Sequence, residues 1–219
     1  MVSFTFSKAG FATASQEAAL FPGDTRTIPT TQVVQPGLGL AIPSVTFEST
    51  VASRSFTVRN FGVTSIDLNK AAFSFEYDPS GSLLMQHLQF GNHQTLAPGA
   101  DFTFATETNS CSGGKCVHKD GESSLGGSSA RTLGLQARKG SLVVYSNAAN
   151  VSDMQNSANV TDYLQYGAAP TGGVWSHSAF AGIATIWDGA DKFAPAGAAD
   201  KALVVKNIGA FGSGNWQIQ

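Results

Sequence analysis

Charge is scarce in this chain: only 13% of its 219 residues are Asp, Glu, Lys or Arg, about half the share usual in globular proteins. Thirteen basic residues against fifteen acidic ones give a net charge of -2, which leaves no basic field to release counterions from a phosphate backbone, so nucleic acid is not an expected partner. Long apolar runs are missing too, and nothing approaches the roughly eighteen residues that would span a bilayer. The start, MVSFTFSKAGFATASQEAAL, has no basic stretch followed by an apolar one, so a signal peptide is expected to be absent or already removed.

Residues with versatile chemistry are equally few. The four histidines, His87, His93, His118 and His177, pair with no His, Cys or carboxylate at metal-ligand spacing, so no metal is assigned. No G-x-S-x-G elbow is present, and the Ser-rich GESSLGGSSA reads as a loop rather than a nucleophile site. The carboxylates Glu48, Glu76, Asp78 and Asp101 are scattered over strand ends. GLGLAIP lacks the third Gly and the following helix of a phosphate cradle. We therefore expect no catalytic residue, no cofactor and no enzyme activity.

The only cysteines, Cys111 and Cys116, lie in NSCSGGKCVHKDG, where Gly113 and Gly114 allow the chain to reverse. A local disulfide is the leading reading, worth roughly 2 kcal/mol for so short a loop. Two free thiols, or a Cys116–His118 thiolate pair, are the alternatives. A disulfide favours an oxidising compartment. Asn150 and Asn159 begin glycosylation triplets, which matter only in a secretory protein.

What the chain does have is glycine, 24 residues, and phenylalanine, 15 residues, arranged in short alternating runs. In RSFTVRN, Phe56 and Val58 share a face; in AAFSFEYDPSG, Phe73, Phe75 and Tyr77 do so before an Asp-Pro-Ser-Gly turn. LAIPSVTFE, VTSIDL, DFTF and DYLQYG are further strands, and SLVVYSN has the continuous apolar pattern of a central one. LLMQHLQFGNH is compatible with a strand or a helical turn. Residues 1 to about 37, with Pro29 and Pro36 near the end, read as an extended arm whose Phe4, Phe6, Phe11 and Phe21 would seek an apolar surface. The polar stretch from Thr106 to Ser129 is the longest loop candidate.

The ordered series RSFTVRNFGVTSIDL, TLAPGADFTF, and KGSLVVYSN leading to VTDYLQYG resembles the lamin-tail domain of exported or surface microbial proteins. Asn60 near Gly62, then Ile66-Asp67-Leu68, the Leu96-Ala97-Pro98-Gly99 turn, Gly140 to Tyr145, and Asp162 to Gly167 look like that family's motifs. Its usual Ser-Gly-Trp is replaced by Asn69-Lys70-Ala71, with Phe73 as the candidate substitute for the Trp. The resemblance implies an all-β, immunoglobulin-like β-sandwich over residues 38–167. Residues 1–37 form the N-terminal arm, and residues 168–219 form a β/loop-rich C-terminal extension packed on the sandwich.

The family's members serve mostly as non-catalytic attachment modules. The expected function is accordingly structural: an assembly module of an exported, surface or particle-forming structure, contacting proteins, including copies of itself, through the arm and strand edges. The expected location is extracellular, another oxidising lumen, or a particle surface. The alternative is a carbohydrate- or calcium-dependent adhesion module. It would stack a glycan on Trp175, Trp187 and Trp216 and use the Asp188-Gly189-Asp191 loop, although core tryptophans and a solvated turn are the simpler reading of both.

Overall fold

The computed structural model describes residues 2–6, 14–18, 39–47, 54–78, 81–90, 95–105, 122–124, 135–146, 148, 151–207 and 211–219. The alternating runs form strands, and two five-stranded antiparallel sheets make an all-β sandwich. Within the expected arm, β1 (Val2–Phe6) and β2 (Ala14–Ala18) pair with each other in a separate antiparallel ribbon.

The first large sheet is built around β3 (Leu40–Phe47), β4 (Ser55–Asn60) and β9 (Asp101–Ala105). The second is built around β6 (Ala71–Tyr77), β7 (Leu84–Phe90), β11 (Gly140–Ser146) and β12 (Val160–Tyr166), with the short β10 (Glu122–Ser124) beyond β7. A separate two-residue pair joins β5 (Ile66–Asp67) to β8 (Thr95–Leu96). The ambiguous segment LLMQHLQF is thus a strand, β7. The expected VTSIDL strand is reduced to Ile66–Asp67: residues 62–64 bend, with the Asn60 amide taking the Thr64 carbonyl, and at the other end Asp67 Oδ1 accepts the N–H of Asn69 at 3.0 Å and turns Leu68–Lys70 into a 3-10 turn.

Period-two alternation directs Phe56 and Val58 of β4, Phe102 and Phe104 of β9, and Phe73 and Phe75 of β6 into the core. Phe56 stacks on Phe104 within its own sheet, with centroids 4.8 Å apart, and meets Phe73 and Phe75 of the opposite sheet edge-on at 5.1 and 5.3 Å. Such contacts contribute about 0.5–1.5 kcal/mol each beyond the apolar area they bury. Phe73 is fully buried in this cluster.

The C-terminal residues do two things. Residues 168–194 cover the outer face of the second sheet, so β6 and β11 are buried on both faces; that is why SLVVYS reads as a central strand. Then β13 (Lys201–Val205) and β14 (Trp216–Ile218) extend the first sheet in the order β14-β13-β3-β4-β9. No helix among the described residues is long and apolar enough to cross a membrane.

Candidate functional site

The outer face of the second sheet carries a polar cluster. Ser74 and Glu76 lie two apart on β6 and therefore share a face, opposite to Phe73 and Phe75. The register sets His87 of β7 beside Ser74 and Ser141 of β11 beside Glu76. A 3-10 turn, Ser176–Ala179, follows the buried Trp175 and lowers His177 onto them. The Trp175 indole N–H is held by the Ala168 carbonyl at 3.2 Å.

His177 presents both ring nitrogens to this cluster. Nε2 lies 2.9 Å from Ser74 Oγ, and Nδ1 lies 3.0 Å from Glu76 Oε2 and 3.2 Å from Ser141 Oγ. Ser74 Oγ is also 2.9 Å from His87 Nδ1. The Glu76 carboxylate accepts from Ser141 Oγ, from the backbone N–H of Ser176 at 3.0 Å and from that of His177 at 3.1 Å. Ser74, Glu76, Ser141 and His177 are at most 1% exposed.

Burial alone would raise the Glu76 pKa, but the bonds and charge from His177 and the Ser176 donor outweigh it and hold the carboxyl at about 2. His87 is pushed below its ordinary value by burial first and by the nearby His177 second. Burial raises Tyr163 on the same face well above the phenol range; its hydroxyl donates to Gln165 Oε1 at 2.7 Å. Gln165 in turn donates to the Lys192 carbonyl, tying strand β12 to the covering segment.

Serine to imidazole to carboxylate is the connectivity of a hydrolytic triad. Here the serine faces no opening: Ser74 is fully buried and shares its hydroxyl between two imidazoles. A nucleophile must reach its substrate, so what this arrangement does chemically is cross-link the covering segment to the sheet. No family model matches the chain, and no curated protein matches its sequence.

The motif residues that carry the resemblance meet in space. The Asn60 side chain donates to the carbonyls of Thr64 and Leu96 at 2.8 Å each and accepts the Gly62 N–H at 2.8 Å. The Gly99 N–H donates to the Asn60 carbonyl at 2.8 Å, so the first strand end is clamped to the Leu96–Gly99 turn. Asp162, near the start of β12, faces the interior and accepts the Ile42 N–H at 2.7 Å and its neighbour Tyr163 N–H at 2.8 Å. Ile42 precedes Pro43, where the β3–β4 register shifts, so its N–H is free to turn to the other sheet.

Other candidates separate. Cys111, Cys116, His93, His118, Asn150 and Glu48 lie outside the described residues. Asn159 caps locally, its Nδ2 donating to the Asp153 carbonyl, while the Thr161 hydroxyl of its triplet is buried against the Val144 carbonyl. Trp175, Trp187 and Trp216 are 0%, 6% and 4% exposed, so none offers the open indole face that sugar stacking needs. Both oxygens of Asp188 accept from Ser213, and Asp191 points to solvent beside Lys192. Among the described residues no group of three His, Cys, Asp or Glu is placed to hold a metal ion. Asp101 pairs with Arg59 on the surface at 2.7 Å.

Sequence reasoning missed the role of His177. The one available signal was that Ser74 and Glu76 alternate with phenylalanines, which marks a polar outer face; that this face would be roofed by residues 100 positions later has no local signature.

Proposed function

We propose that the chain is a non-catalytic assembly module on a lamin-tail-like, immunoglobulin-like sandwich. The observation that carries this is the sealing of the Ser74–His177–Glu76 cluster: among the described residues, the one constellation with catalytic connectivity is roofed over and works as a fastener. The strand order supports the fold half of the reading, since β3-β4-β9 facing β7-β6-β11-β12 parallels strands A-B-E facing C′-C-F-G. The Asn60 clamp on the Leu96–Gly99 turn supports the lamin-tail half.

Contact with protein partners, including other copies, is supported by consecutive apolar residues left open at the start of β7. Leu83, Leu84 and Met85 are 39%, 44% and 45% exposed, and such runs on a soluble surface mark interaction sites. The test is sedimentation velocity of the full chain across a wide concentration range, alone and with Leu84→Lys and Met85→Lys together. Concentration-dependent association that the double variant weakens is the expected result; a strict monomer at all concentrations, with residues 1–37 freely cut by protease, would overturn the proposal.

A further inference from the structure

We propose that the cleft walled by Arg54 and by Gln136–Lys139 binds a small, multiply charged oxyanion of the phosphate class. This cleft has a volume of about 330 Å³ and is lined by Arg54, Asp78, Gln136, Ala137, Arg138 and Lys139. Three cations converge there in a chain with only 13 Lys and Arg in all.

The one carboxylate among the described lining residues is already engaged. Asp78 accepts Lys139 Nζ at 2.7 Å, the Gly81 N–H at 2.6 Å and the Thr171 N–H at 2.7 Å. Those donors, Lys139 first, keep its carboxyl well below the usual range. Lys139 and Asp78 thus offset each other, and the guanidiniums of Arg54 and Arg138 carry the surplus positive charge with no ion-pair partner among the described residues. Arg54 and Arg138 line the same cleft, and the planar forks of guanidinium groups match tetrahedral oxyanions.

The packing behind the cleft wall is close. The hydroxyl of Tyr166 is fully buried and has no hydrogen-bond partner among the described residues. It sits under the cleft wall. A Cβ on Gly140 would come within 2.5 Å of this oxygen. The Gln136 backbone N–H lies near it, and the charge of Arg54 reaches the ring. Gly167 lets the wall settle this closely, because a Cβ there would lie 1.9 Å from the Arg138 carbonyl.

The experiment is calorimetric titration of the full chain with inorganic phosphate in buffer whose ionic strength is held constant with chloride, with acetate as a singly charged comparison. Saturable binding of one phosphate is expected, with acetate at least about tenfold weaker, and Arg54→Gln with Arg138→Gln should weaken phosphate about tenfold or more, corresponding to about 1.4 kcal/mol. The single Arg138→Gln variant, at an exposed position, provides the same reading if the double variant fails to fold. No heat beyond dilution, equal binding of acetate, or phosphate binding unchanged in the arginine variants would overturn the proposal.

Discussion

His177 Nδ1 lies 3.0 Å from Glu76 Oε2, with side chains 2% and 0% exposed, and this contact links strand β6 to a segment a hundred residues further along. Removing one member of this buried hydrogen-bonded pair leaves the other's polar atoms without that partner, at a cost of about 1–3 kcal/mol for each unsatisfied group and more for a charged one. Glu76→Ala also orphans the N–H groups of Ser176 and His177. We expect urea denaturation to register a loss in that range for Glu76→Ala or His177→Ala. Amide hydrogen exchange should quicken first in residues 175–187, while β4 and β9 stay protected. Ser74→Ala, which removes only a bridging hydroxyl, should cost about 1 kcal/mol.

Two buried carboxyls set opposite limits on stability with pH. Asp162 is pushed up from 3.8 to about 7 by burial, which outweighs its two backbone donors. A raised folded pKa means that its contribution is complete below about 4 and is lost as pH rises to about 7, of order 4 kcal/mol in all. Glu76 is held at about 2, so its contribution is present above about 4.5 and is lost as pH falls toward 2. His87, with its pKa lowered, subtracts stability as pH falls below its ordinary value near 6.5. Thermal unfolding from pH 3 to pH 9 should therefore peak on the acid side of neutrality. Asp162→Asn should flatten the decline between about pH 4 and pH 7 and leave the acid limb in place; an unchanged profile would remove Asp162 as its cause.

The legible parts of this structure are those whose information is local. Alternation in SFTVRN and AAFSFEY is enough to direct Phe56, Val58, Phe73 and Phe75 inward, because the strand period is two and one face must be buried. The C-terminal residues are another matter. The Lys201–Val205 strand joins the first sheet by pairing with Thr46 and Val45, and His177 reaches Ser74 over 103 positions; neither pairing leaves a trace in its own neighbourhood. Asp162 is legible as a motif residue, and alternation with Leu164 and Tyr166 turns it inward; its partner, the Ile42 N–H of the other sheet, lies at the β3–β4 register shift beside Pro43, which period counting alone does not supply.

Asn60 is the polar residue whose loss should be felt most widely around the β5–β8 pair. Its amide satisfies the Leu96 and Thr64 carbonyls, and its oxygen satisfies the Gly62 N–H. Asn60→Ala leaves these groups without that partner in a buried setting, and a loss of about 3 kcal/mol is expected from unsatisfied groups costing about 1–3 kcal/mol each. Asn60→Asp keeps the acceptor for Gly62 but turns a carboxylate toward two carbonyls, so at neutral pH it should be no more stable than the alanine variant. Guanidinium denaturation midpoints of the two variants check this; a small effect from both would mean that water replaces the amide freely.

Gly167 ends β12 with φ at +78°, and a methyl group at this position would lie 1.9 Å from the Arg138 carbonyl oxygen and 2.9 Å from its carbon. Both obstacles are backbone, so no rotamer change relieves them. Gly167→Ala combines the left-handed strain of about 1–2 kcal/mol with a forced displacement of residues 138–139, or of the Gly167–Ala194 hydrogen bond at 2.9 Å that fastens the covering segment. A loss of more than 2 kcal/mol in chemical denaturation is expected. Because Arg138 and Lys139 wall the oxyanion cleft, the same variant should also weaken phosphate binding measured under conditions where it remains folded. Gly172→Ala is the matched control: its φ is +97°, yet nothing lies within 4 Å of the added carbon, so it should show the backbone strain alone and leave phosphate affinity unchanged.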